Sequence, residues 1–192
     1  LKLSSLETFD LNYYSKDKDD DGLSPYDRME RTFNFCKSYS DDFSLKSQSI
    51  LFTGGTGLGK THLSLSIAKS AIDKGYGVIY DSCSNILTKI EREFFGKDSK
   101  NDDFTAAIYE CDLLIIDDLG VEFSTSFTQS MIYNIINTRL GASLPTIIST
   151  NLLIKELGEK YNDRISSRIT SSYNSFVFKG NDIRIQKMIK NK

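Results

Sequence analysis

From Gln48 onward the chain alternates between two hydrophobic rhythms. SILFT (49–53) reads as a short buried strand, and GVIYDS (77–82), DLLIIDD (112–118), PTIISTN (145–151) and SFVFKG (175–180) read as further strands. Between them, apolar residues recur at helical spacing. Leu63, Ile67 and Ala71 form one such stripe, with Gly75 as its stop; Ile86, Ile90 and Phe94 form a second; Phe127, Met131, Ile135 and Ile136 lead a third up to Leu140. Apolar strands separated by helices predict a mainly parallel sheet covered on both faces, an α/β fold. The sequence shows no internal repeat.

The N-terminal quarter breaks that rhythm. It holds a charge cluster, KDKDDDG, and little periodicity before Tyr26–Phe43, where Met29 and Phe33, and less regularly Phe35 and Tyr39, suggest a helix. Residues 1–47 are therefore read as an N-terminal extension and 48–192 as the principal domain. Asp17, Asp19, Asp21 and Gly22 match the first half of a calcium-binding EF-hand loop. The twelfth position of such a loop needs a bidentate Glu; here it is Arg28, and the ninth is Pro25. A solvated acidic turn is the better reading.

Composition narrows the class. The 192 residues suffice for one sizeable core, and a net charge of −2 excludes a uniformly basic coat for nucleic acid while leaving room for a local basic patch. No apolar run reaches membrane-spanning length and no secretory signal is visible, so a cytoplasmic protein is expected. Cys36, Cys83 and Cys111 are odd in number and contain no C-x-x-C pair, which points to reduced thiols rather than a disulfide framework or a zinc site.

The chemistry concentrates after the first strand. Gly54, Gly55, Thr56, Gly57, Leu58, Gly59, Lys60 and Thr61 spell G-x-x-x-x-G-K-[ST]. In this pattern bare glycines let backbone N–H groups wrap a phosphate, and the following helix aims its positive end at the same point. Lys60 would reach the β- and γ-phosphates, and Thr61 would ligate Mg²⁺. His62, the only histidine, follows the loop; packing or hydrogen bonding there suits it better than catalysis. Asp117 and Asp118 close an apolar strand in the Walker B manner. Asp117 would join the Mg²⁺ shell and Asp118 would orient the attacking water. Where many ATPases place Glu, Asp118 is one methylene shorter, so slow or partner-dependent hydrolysis is expected. Asn151 ends its strand, as a turn residue or as a contact for phosphate or water. Arg164 and Arg168 share a helical face, as a solvated pair or as a source of positive charge for a neighbouring subunit. Arg184 is a further candidate cation.

Taken in order, GGTGLGKTHLSLSIA, DLLIIDDLGVE, PTIISTN, DRISSRI and GNDIR resemble the AAA+ ATPase domain of bacterial replicative-helicase loaders and of the related IstB-type transposition helpers, over residues 48 to 185. The lead-in ETFDLNYYS is similar too. The resemblance implies a P-loop NTPase with a five-stranded parallel sheet, the P-loop strand central, and a minimal lid. It makes Asn151 sensor 1, Arg168 an arginine finger acting in trans with Arg164 beside it, and Arg184 sensor 2. It further implies ATP or ADP with Mg²⁺, ATP-bound homo-oligomers, contact with single-stranded DNA and a replicative helicase as partner. The residues before 48 are too few for the helicase-gripping domain of such loaders, which is expected to be missing from this chain. A transposition helper acting on duplex DNA, and a nucleotide-binding interaction module with negligible hydrolysis, stay open beside the loader; the paired acids argue against a small-molecule kinase. The basic stretch RIQKMIKNK fits either phosphate contact or a solvated helix end.

Overall fold

The computed structural model describes residues 4–96 and 103–190. Five strands form one parallel sheet: β1 (Ile50–Gly54), β2 (Val78–Ser82), β3 (Leu113–Leu119), β4 (Thr146–Thr150) and β5 (Asn174–Phe178). Their order across the sheet is β2-β3-β4-β1-β5. The P-loop strand β1 is thus interior, and β4 holds the middle place. The helices are α1 (Pro25–Asp41), α2 (Lys60–Asp73), α3 (Cys83–Phe94), α4 (Phe104–Glu110), α5 (Ser126–Gly141), α6 (Ile154–Lys160), α7 (Asp163–Ser172) and α8 (Ile183–Lys190). Single 3₁₀ turns at Leu6–Thr8 and Leu11–Tyr13 precede them. Asn191 and Lys192, the end of the basic stretch, lie outside the described residues.

Strand side chains alternate between the two faces. Ile50, Phe52, Leu113, Ile115 and Ile147 pack under α1 and α2, while Leu51, Leu114, Ile116 and Ile148 pack under the layer from α3 to α7. The result is three layers with a core on each side of the sheet. Local signals set the helix ends. Ser24 and Asp27 cap α1 reciprocally, with Pro25 in its first turn. Gly75, at φ 88°, ends α2, where its N–H donates to Ile72 and that of Tyr76 to Ala71.

The N-terminal segment shares this core. Met29, Cys36, Tyr39 and Phe43 pack in one cluster with Ile50, Leu63 and Ile67. All three cysteines are free, and burial pushes the Cys36 thiol up to about 12. No helix among the described residues is long and apolar enough to cross a membrane.

Parallel strands present all their carboxyl ends at one edge of the sheet, where ligands of such folds bind. The loop after β1, the acids ending β3 and Asn151 after β4 therefore meet along a single edge.

Candidate functional site

β1 runs directly into the glycine-rich loop, and the backbone there requires glycine. Gly54, Gly57 and Gly59 adopt φ of 119°, 68° and 90°. Space gives a second reason. A Cβ on Gly54 would lie 2.1 Å from the Phe178 carbonyl oxygen of β5, and one on Gly57 would lie 2.0 Å from the Asp182 carboxylate. Gly59 caps α2 without a side chain, which leaves the first N–H groups of the helix facing the loop.

Lys60 is the first residue of α2 and is buried. Its ammonium donates to the Gly54 and Gly55 carbonyls, both at 2.7 Å, and to Asn151 Oδ1 at 2.8 Å. Burial pushes its pKa down to about 8, with Asp118 and Asp117 pulling the other way. Asn151 thus reaches from the end of β4 onto the P-loop lysine.

Thr61 Oγ1 donates to the two Asp117 oxygens at 3.0 and 3.3 Å. The buried Asp117 carboxylate also accepts from the Tyr80 hydroxyl at 2.5 Å and from the Ser149 hydroxyl. Three hydroxyls on three elements hold one carboxylate. Thr61 and Asp117 place hard oxygen donors side by side at the end of the loop, a donor set that suits Mg²⁺. Among the described residues no group of three or more His, Cys, Asp or Glu gathers to hold a metal. The acidic N-terminal turn is neutralised instead: Arg28 pairs with Asp21, and Lys179 lies 3.2 Å from Asp19 and 3.7 Å from Asp21.

Asp118 takes a left-handed φ of 54° and donates its N–H to Ser149 Oγ at 3.1 Å. Burial raises its carboxyl pKa, and the adjacent Asp117 raises it further, against Lys60 and Arg184. Arg184, at the start of α8, is held by Asp182 at 3.1 and 3.3 Å. The carboxylate bonded to it keeps that guanidinium above its usual pKa.

These groups enclose a cavity of about 340 Å³, lined by the loop from Thr56 to His62 together with Asp118, Asn151 and Arg184. Gly54 and Gly55 stand behind it through Lys60, and Asp117 through Thr61. Arg168 does not line it. It is half-buried on α7, its guanidinium 4.7 Å above the Tyr133 ring and bonded to Asn137 Oδ1 at 2.9 Å. The Arg164 carbonyl accepts a second bond from it at 3.1 Å.

The sequence pattern left several site residues unmarked. Thr8, Phe9, Asp10 and Tyr13 form a wall of the cavity; Lys187, from the basic stretch RIQKMIKNK that the sequence does mark, adds a cation from α8. His62 ties this wall to the loop. Its Nε2 lies 2.9 Å from the Ser5 carbonyl and 3.3 Å from the Thr8 hydroxyl, and the Phe9 ring meets its own ring edge-on at 5.3 Å. Tyr80 and Ser149 also went unmarked. The run Ser149-Thr150 inside an otherwise apolar strand was the one available signal for Ser149, since a buried hydroxyl needs a partner.

A family model described as "IstB-like ATP binding protein" matches residues 29–190. Among curated proteins, the chain is 24% identical over 133 residues to the replicative helicase loader DnaC of Escherichia coli, an alignment covering 69% of this chain and 54% of that protein. The chain therefore spans about half the length of the curated relatives it matches. Among solved structures, a DnaC helicase loader superposes with a TM-score of 0.72 at 21% identity, covering 92% of this chain and 97% of that one. The replication initiator DnaA, bound to AMPPCP and single-stranded DNA, gives 0.72 at 22% identity over 97% of this chain and 54% of its own. A DnaI structure gives 0.69 at 20%, covering 93% and 89%. At these identities the structural likeness establishes a shared fold.

Proposed function

The chain belongs to the IstB-like ATP-binding protein family, and from that premise we propose that it is an ATP-hydrolysing AAA+ protein that loads a replicative DNA helicase in the cytoplasm. One observation carries the ATPase half of this reading. Lys60, Asn151 and the Thr61–Asp117 pair converge at the mouth of the glycine loop, with Asp118 on the same cavity. The loader half rests on the similarity to DnaC.

Phosphate oxygens would replace the carbonyl acceptors of Lys60, and the helix end and loop N–H groups would hold the rest of the anion. Thr61 and Asp117 would hold Mg²⁺, which when bound neutralises developing phosphate charge. Asp118 would orient a water in line with the γ-phosphorus. As the water oxygen bonds to phosphorus, the bond to the β-bridging oxygen breaks and Asp118 receives the water's proton. Asn151 would stay within reach of the same γ-oxygens, and Arg184 would approach from the α8 side.

Positive charge from outside the cavity completes this reading. Arg168 lies off its own cavity, and in this reading it would serve a neighbouring subunit's γ-phosphate; such a finger is worth ~10³–10⁵ in rate. Turnover per subunit should therefore rise with protein concentration. Equal rates at all concentrations, with Arg168→Ala indistinguishable from wild type, would remove the trans finger.

A transposition-helper role is the second reading, supported by membership of the IstB-like family. Size-exclusion chromatography with mass determination separates the two. Co-elution with the host's replicative helicase in the presence of ATP is the loader outcome. Assembly on duplex DNA without helicase binding is the other.

A further inference from the structure

Glu122 belongs to the DDLGVE stretch, yet no step above uses it. Its carboxylate is buried, four residues past Asp118. Oε2 accepts the Gly120 N–H at 2.8 Å, closing the turn that follows Asp118. Oε1 accepts the Tyr161 hydroxyl. Burial and this carboxylate both raise the Tyr161 pKa, so the phenol remains a donor. Lys160 reaches back to the same turn, donating to the Gly120 carbonyl and lying 3.4 Å from that of Glu122.

Tyr161 and Lys160 stand at the junction of α6 and α7. Asn162 then caps α7, the helix that buries Ile165 and Ile169, exposes Arg164 and leaves Arg168 half-buried. The turn is built to resist drift. Gly120 has φ 106°, and a Cβ there would lie 2.6 Å from Leu152. Thr150 Oγ1 donates to the Leu119 carbonyl at 2.6 Å, tying the turn to the end of β4 as well.

We propose that Glu122, Tyr161 and Lys160 form a clasp that makes the Asp118 loop and helix α7 move as one body, so that nucleotide in one subunit sets the position of the Arg168 offered to the next. Glu122 and Tyr161 are then positioning residues for hydrolysis, although neither touches the cavity. The inference rests on the trans role of Arg168 for its catalytic consequence, but its mechanical half stands independently.

Tyr161→Phe is the selective probe, because it keeps the ring in its apolar cluster and removes one hydroxyl. At assembling concentrations the variant should lose about tenfold in kcat while KM for ATP stays within about twofold. Combined with Arg168→Ala, it should cost nothing beyond Arg168→Ala alone, since both act through one element. Multiplying losses in the double variant, or a Tyr161→Phe enzyme at wild-type kcat, would overturn the clasp. Arg168→Ala at wild-type kcat would instead refute the trans finger, leaving the clasp to a second measurement. In that measurement, hydrogen exchange is followed in α7 with and without Mg²⁺ and AMPPCP. Wild type should slow by at least about threefold on binding, and Tyr161→Phe should not, at similar analogue affinity. Unchanged α7 exchange in wild type, or full protection in the variant, sinks the mechanical half. Glu122→Gln should recover part of what Glu122→Ala loses, because the amide can accept from Gly120 and donate to Tyr161.

Discussion

Lys60 shares its charge among three oxygens of the protein, two loop carbonyls and the Asn151 amide. Burial holds its pKa near 8. Because that value lies below the unfolded 10.5, the folded chain binds fewer protons between about 8 and 10.5. Lys60 thus costs stability that is fully felt below about 8 and relieved as pH rises through that window. A phosphate reverses the balance by favouring the ammonium. Nucleotide binding at pH 8.5 should take up a fraction of a proton, which falls away by pH 7 apart from the nucleotide's own ionisation. Calorimetry in buffers of different ionisation enthalpy measures it, and no uptake at pH 8.5 would contradict phosphate contact by Lys60. Asp118 shifts the other way, its carboxyl raised by burial and by Asp117. If it must be ionised to take the water's proton, turnover should fall on acidification at a pH above the ordinary carboxylate value of 3.8. Asp118→Asn should lose about 10²–10⁴ in rate together with that acid limb. An unchanged acid limb in the variant would assign it to another group. At this scale the sequence was most legible where spacing itself encodes chemistry: Gly54 to Thr61 and Asp117-Asp118 were marked by pattern alone. Tyr80 and Ser149 were not, because a hydroxyl in a strand declares a partner only once the register places Asp117 beside it.

The elements were readable where hydrophobic period and length were both generous. DLLIIDD at 112–118 became Leu113–Leu119, GVIYDS at 77–82 became Val78–Ser82, and Phe127 to Leu140 became the body of Ser126–Gly141. α4 and α6 each span seven residues, too short for a period to declare itself, and neither was marked. The strand order was beyond periodicity altogether, since β1 pairs with strands that begin about 95 and 125 residues later. The most consequential unmarked side chain at this scale is Arg139 of α5, fully buried and, among the described residues, without a carboxylate partner. It donates to Thr146 Oγ1 and to the carbonyls of Ile108, Cys111 and Pro145 at 2.8–3.0 Å. One guanidinium therefore satisfies the carboxyl end of α4, where the helix dipole favours a cation, and the entry to β4. Removing it orphans several buried carbonyls at once. Arg139→Met should destabilise by about 3–5 kcal/mol, read as a lower urea midpoint at constant m. A loss under 1 kcal/mol would mean that water replaces the guanidinium at those carbonyls.

At the scale of the molecule, the nucleotide cavity is closed by both ends of the described chain. In the sequence the residues from Leu6 to Tyr14 form part of an extension, because they are short, mixed and aperiodic. The contacts that hold them to the core explain why no periodicity is visible: those are made across long stretches of sequence. The Tyr14 hydroxyl donates to the Leu58 carbonyl at 2.8 Å. Phe9 stacks on Phe33 at 5.5 Å, and a Cβ on Gly59 would lie 2.8 Å from the Phe9 ring. From the other end, Gln186 donates to the Tyr13 carbonyl at 3.2 Å, and Lys187 and Lys190 of α8 lie over the Tyr13 ring at 5.3 and 4.6 Å. The strap is thus held between the P-loop and α8, with Arg184 at the same junction. Whatever loosens it opens one side of the site without disturbing Lys60, Thr61 or Asp117. Phe9→Ala deletes the ring that packs on Phe33, Tyr14 and His62 while leaving the phosphate contacts in place. Titration with a fluorescent ATP analogue should show binding weakened about tenfold, equivalent to about 1.4 kcal/mol. Inorganic triphosphate, which has no base or ribose to meet the strap, should bind wild type and variant alike. Equal losses for both ligands would place the effect in the P-loop, and unchanged ATP affinity would remove the strap from the binding site.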